Sequence, residues 1–76
     1  MRLRIEEDVF AGTPVQIVEA LRLLDDSDPR TVDEYMLRFL ERAATYRRFA
    51  ITGATVEDRC ARFLTGLIRN LEAEIA

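Results

Sequence analysis

Thr31-Val32-Asp33-Glu34-Tyr35-Met36-Leu37-Arg38-Phe39-Leu40-Glu41-Arg42-Ala43-Ala44-Thr45-Tyr46-Arg47-Arg48 is the densest run of large apolar side chains in the sequence, and it contains no Gly or Pro. Val32, Tyr35, Met36, Phe39, Leu40, Ala43 and Tyr46 recur at spacings of three and four, which places them on one face of a helix. Tyr35, Met36, Phe39, Leu40 and Ala43 form the stripe that should enter a core. Outside that stripe, Glu34 with Arg38 is an i, i+4 ion pair and Arg38 with Glu41 an i, i+3 pair, worth about 0.2–0.5 kcal/mol each. The helix has two candidate starts. Asp28 could cap it with Pro29 first, or Thr31 could cap it with Glu34 as the box partner. Arg47 and Arg48 suit its C-terminal end, where the helix dipole favours cations.

Upstream, Gly12-Thr13-Pro14-Val15-Gln16 reads as a helix start. Thr13 is the N-cap, Pro14 the first helical residue and Gln16 the reciprocal member of a capping box. The helix carries Ile17, Val18, Leu21 and Leu24 on one stripe, widened by Val15, Ala20 and Leu23. It should stop near Leu24 or Asp25, because acids oppose the dipole at a helix C-terminus. Asp25-Asp26-Ser27-Asp28 lacks the Gly and closing Glu of a calcium-binding EF-hand loop and is read as a solvated connection.

Downstream, Phe49-Ala50-Ile51-Thr52-Gly53-Ala54 is a connection with an apolar half, and Thr55 caps a third helix. Its stripe is Val56, Cys60, Phe63, Leu64, Leu67, Leu71 and Ile75, joined by Ile68. Gly66 either sits inside it, at a cost of about 1 kcal/mol relative to Ala, or breaks it. At the N-terminus Leu3 and Ile5 alternate with Arg2 and Arg4, a strand signal. Val9-Phe10-Ala11 either returns as the second strand of a hairpin or belongs to a loop. The turn between them lacks the Gly such hairpins prefer. A lone hairpin is not stable, so Leu3, Ile5 and Phe10 must lie on the helices. The expected fold is mainly helical α+β: a single small domain with helices at about 14–25, 30–48 and 55–74 and a short N-terminal β-hairpin or single strand.

A chain of 76 residues with 49% hydrophobic and 33% charged side chains has the balance of a small globular domain. Near this size only about 60% of the surface is buried on folding, so stability is marginal. Net charge is −3, distributed as −4 over residues 1–29, +2 over 30–48 and −1 over 49–76. All 11 basic residues are Arg. A base-composition bias in the source genome accounts for this; a use for planar, bidentate cations is the alternative. The single cysteine, Cys60, cannot form an intrachain disulfide and lies on an apolar stripe, which fits a buried thiol in a reducing compartment. No run resembles a signal peptide or a membrane span, so a soluble cytoplasmic protein is expected.

Histidine is absent, which removes the commonest general base and metal ligand, and one Cys without His cannot assemble a zinc site. The three glycines form no phosphate-binding loop. No catalytic, cofactor or metal residues are therefore expected, and neither is a nucleic-acid, membrane or metal partner. Residues 1–5 followed by two helices do resemble the ribbon-helix-helix repressors, in which alternate strand residues (here Arg2 and Arg4) enter the major groove from a dimer. Arg30-Thr31-Val32-Asp33-Glu34-Tyr35 resembles the start of that family's second helix. This resemblance implies a DNA-binding regulator as the alternative function. Against it, Glu6 to Thr13 adds eight residues, three of them acidic, between ribbon and helix, and the net charge lacks a basic footprint.

Leu3-x-Ile5 followed by Phe10-Ala11-Gly12-Thr13-Pro14-x-Gln16-Ile17-Val18, with Glu34-Tyr35 further on, is similar to a set of small bacterial proteins, often of phage or mobile-element type. These begin with a hairpin, a Gly-Thr-Pro cap and an Ile-Val helix, and the similarity implies no activity. The leading expectation is a non-enzymatic protein-interaction or accessory module that pairs with itself or with another protein. Leu23, Leu37, Tyr46 and Phe49 fall partly off the main stripes and are the candidate interaction surface.

Overall fold

The computed structural model describes residues 1–42, 51–70 and 72–76, which form three helices and a three-stranded antiparallel sheet. Strand β1 (Arg2–Ile5) pairs with β2 (Asp8–Ala11) as a hairpin, with Leu3 opposite Phe10 and Ile5 opposite Asp8. Glu6 and Glu7 are the two turn residues. Glu6 takes φ +58°, the left-handed conformation that this tight turn demands and that Gly would adopt without steric cost. Beyond the hairpin, Met1 and Gly12 exchange a pair of hydrogen bonds of 3.1 and 3.0 Å.

Helix α1 spans Pro14–Leu24 and begins with the expected capping box. The Gln16 N–H donates to Thr13 Oγ1 at 3.2 Å, and the Thr13 N–H donates to Gln16 Oε1 at 2.9 Å. Gly12, at φ +136°, lets the returning Gln16 amide pass; a Cβ there would lie 2.5 Å from Gln16 Oε1.

Helix α2 spans Val32–Arg42, and of its two candidate starts Thr31 is the one used. The Glu34 N–H donates to Thr31 Oγ1 at 3.0 Å. Glu34 reaches back past the cap to accept from the Arg30 N–H at 3.1 Å. Asp28 cannot cap because it sits at φ +54°, turning the chain so that Pro29 is fully buried. Residues 43–48, which the sequence pattern assigns to this helix, lie outside the described residues.

Helix α3 runs Val56–Arg69, and Gly66 sits inside it, buried. Here the sequence reading needs correction, since it carries this helix on to residue 74. Asn70 ends the helix instead: its backbone N–H and its side-chain amide both donate to the Gly66 carbonyl, at 3.1 and 2.8 Å. An Asn side chain that bonds locally to the backbone offers the chain an alternative to another helical turn. The chain then reverses, buries Ala73, and forms β3 (Glu74–Ile75) along the open edge of β1, with Leu3 opposite Ile75 and Arg4 opposite Glu74. Arg4 and Glu74 form an exposed ion pair across these strands. Ile75 is 77% exposed rather than part of a helical stripe. Leu24 and Val56, both read as core-facing, are exposed as well.

The core joins Leu3 of the sheet to Ile17, Val18 and Leu21 of α1, Val32, Tyr35 and Met36 of α2, and Cys60, Phe63, Leu64 and Leu67 of α3. Phe63 packs edge-on against both Tyr35 and Phe39, with ring centroids 5.9 and 5.3 Å apart. Such pairs contribute about 0.5–1.5 kcal/mol beyond their buried area. Phe39 is only partly buried, and Leu40 is half-buried. Arg59 clamps the start of α3 to α2, with Nε and Nη2 donating to the two carboxylate oxygens of Asp33 at 2.8 and 3.1 Å.

The hairpin turn yields a direct test. Replacing Glu6 by Gly should stabilise the fold by about 0.5–1 kcal/mol, because removing Cβ relieves a left-handed residue by more than the added chain entropy costs. The midpoint of urea denaturation should rise, and a fall would show that the turn is not built this way.

Candidate binding cleft

Asp25 closes α1 as its C-cap residue, where a carboxylate opposes the helix dipole and needs another partner. It finds three. The Ser27 N–H and Oγ–H donate to Asp25 Oδ1 at 2.9 and 2.8 Å, and Arg42 Nη2 donates to Oδ2 at 2.7 Å. The Asp25 side chain is only 3% exposed, so the reading of this loop as simply solvated is corrected for this residue. Backbone and hydroxyl donation from Ser27, followed by the Arg42 guanidinium, holds the carboxyl at about 2, below its ordinary 3.8. Arg38 pins the same loop, with Nη1 donating to the Ser27 carbonyl at 2.6 Å while Nη2 pairs with Glu34.

Beside this ion pair opens a cleft of about 290 Å³, bounded by the hairpin turn, the end of α1, the inner side of α2 and the region where α3 gives way to β3. Its floor is apolar, made by Ile5, Phe10, Leu21, Phe39 and Leu67, with Leu24 at the lip. Tyr35 lines it too. That residue is 7% exposed, and its hydroxyl makes no hydrogen bond among the described residues. No polar side-chain atom among those residues is both fully buried and unbonded, so the hydroxyl reaches solvent, and the space that Tyr35 lines is the cleft. Burial, and then the charge of Asp25, push its ionisation up to about 12, with Arg42 acting the other way. Glu6, Asp8 and Glu72 stand around the rim, and their carboxylates have no partner among the described residues.

Of the four residues that the sequence offers as an interaction surface, Leu23 is 71% and Leu37 59% exposed, on the outward sides of α1 and α2. Neither lines the cleft. Tyr46 and Phe49 lie outside the described residues. Cys60 is fully buried, and desolvation pushes its thiol up to about 11, away from reactivity. The ribbon arrangement would need β1 to pair with a second β1, yet β2 and β3 occupy both of its edges. Among the described residues no group of three or more Cys, Asp or Glu is placed to hold a metal ion, and no helix is long and apolar enough to cross a membrane.

The cleft itself was not apparent in the sequence. Its one usable signal was Asp25, an acid where the dipole disfavours one, with arginines waiting on the next helix. Known proteins add nothing here: no family model, curated protein or solved structure matches the chain.

The charges predict how stability changes with pH. The Asp25 carboxyl is depressed in the folded chain, so the unfolded chain takes up its proton first, and stability is lost as pH falls from 3.8 toward about 2. Asp25→Asn should flatten that acid limb. The Tyr35 hydroxyl is raised, so the unfolded chain loses its proton first, and stability is lost from pH 10.0 toward about 12. Tyr35→Phe should flatten this alkaline limb. Urea midpoints measured across both ranges check the pair; unchanged limbs would contradict the assigned contacts.

Proposed function

We propose that this chain is a non-enzymatic protein-interaction module that meets its partner at the cleft. The observation that carries this reading is an apolar floor open to solvent beside a largely buried tyrosine whose hydroxyl lacks a partner among the described residues. Binding sites combine apolar lining with a few convergent polar groups in this way. The two perturbed groups also favour binding over catalysis. Asp25 stays ionised and Tyr35 stays protonated across the neutral range, whereas a general acid or base works best with a pKa near the operating pH. A cytoplasmic location belongs to the same proposal and rests on the lone, buried cysteine.

Self-association through Leu23 and Leu37 is the second form of this reading, favoured by the exposure of both side chains on helices whose inner faces are already filled. Site-directed photo-crosslinking in the cells that make the protein separates the two. A benzophenone amino acid replacing Leu24 should give a discrete adduct with another polypeptide, and one replacing the exposed Arg62 should give none. Adducts only from Leu37, and only with a second copy of the chain, would transfer the interface to the outer leucines. No adduct from either position would defeat the module reading.

A further inference from the structure

The cleft's charge selects what it would hold. Asp25 already takes up the positive charge of Arg42, leaving the carboxylates of Glu6, Asp8 and Glu72 without a cationic partner among the described residues, around an apolar floor. A cationic group seated beside an apolar one satisfies both features; an anionic partner would face three like charges. The cleft is also open rather than enclosed. Leu24 at its lip is 64% exposed and the rim carboxylates are exposed, so a small molecule would be covered on one side only, against the 70–90% burial that such ligands find in their own sites. A side chain presented by another polypeptide needs no such enclosure, because its own backbone covers the outer side.

We propose that the cleft binds a partner-protein segment in which a large apolar side chain is followed within one or two residues by Lys or Arg. The apolar group sits on Phe10, Leu21 and Phe39, and the cation reaches Glu6, Asp8 and Glu72. The Tyr35 hydroxyl donates to a backbone carbonyl of the segment, acquiring the acceptor it lacks among the described residues. This rests on the reading of the cleft as an interaction site, and it adds the class of partner.

The test is titration of the ¹⁵N-labelled full chain, followed by amide chemical shifts, with the capped peptide Gly-Phe-Gly-Lys-Gly. Control peptides carry Glu in place of Lys or Ala in place of Phe, and 3-phenylpropylamine serves as a small cationic probe. The Lys peptide should shift amides around the cleft saturably, bind at least about fivefold more tightly than the Glu peptide, and weaken as salt is raised. The Ala peptide and the amine should bind more weakly still. A triple variant, Glu6→Gln, Asp8→Asn and Glu72→Gln, alters only exposed carboxylates with no partner among the described residues and should erase the Lys preference. Tyr35→Phe should weaken binding several-fold without moving the thermal midpoint at neutral pH.

Equal binding of the Lys and Glu peptides would overturn the charge assignment while leaving the cleft as an interaction site. Tighter binding of the amine than of the peptide would overturn the choice of a polypeptide. Concentration-dependent shifts of cleft amides in the chain alone would replace the partner with a second copy. No shifts at the cleft with any probe would remove the site altogether.

Discussion

Strand β1 is the constraint on which the rest of this molecule depends. Its inward residue, Leu3, is completely buried, and both of its edges are hydrogen-bonded, to β2 on one side and to β3 on the other. A two-stranded hairpin is not stable alone in water, and a two-residue strand such as β3 is still less so. Here they hold because the helices cover Leu3 from one side while both ends of the chain meet on the same strand. Closure of this kind suits a chain of 76 residues, whose core is small and whose stability margin is narrow. It also places β2 along one edge of β1 and β3 against Leu3 and Arg4 on the other, where a second molecule would have to pair.

The same closure creates the cleft. Because α3 stops at Arg69, the chain has to cross from the end of α3 to the edge of the sheet, and this crossing places Glu72 opposite the hairpin turn. The end of α1 supplies the facing wall, held by the contacts of Asp25 with Ser27 and Arg42. An ion pair with one nearly buried carboxylate is weak evidence of stability on its own, since desolvation offsets much of the attraction. What it does here is positional. It fixes the loop between α1 and α2, occupies the charge of Arg42, and leaves the polar balance of the cleft with the rim carboxylates and Tyr35.

Local chemistry made much of this fold legible. Thr13 with Gln16, and Thr31 and Thr55, mark helix starts through side-chain oxygens that reach orphan N–H groups only a few residues away. The three-and-four spacing of Ile17, Val18 and Leu21, of Val32, Tyr35 and Met36, and of Cys60, Phe63, Leu64 and Leu67 identified the buried faces, because burial of a helix follows its own periodicity. The misreadings share one cause. Leu24 and Ile75 continue an apolar period in sequence, but periodicity cannot register where a helix stops. Local bonding by Asn70 and the open edge of β1 made that decision for the last segment.

The sequence by itself therefore determined the starts of α1 and α3, narrowed that of α2 to Asp28 or Thr31, and marked the apolar faces and a strand at Leu3 and Ile5, since each depends on residues within a turn or two of one another. Only the tertiary structure decided that residues 74–75 complete the sheet, that Asp25 pairs with Arg42 across 17 positions, and that the hairpin turn, the end of α1 and Glu72 surround one cleft. Those are contacts between segments distant in the chain. Their partners are chosen by which edges and charges remain unsatisfied after the helices have packed, a condition that no local pattern encodes.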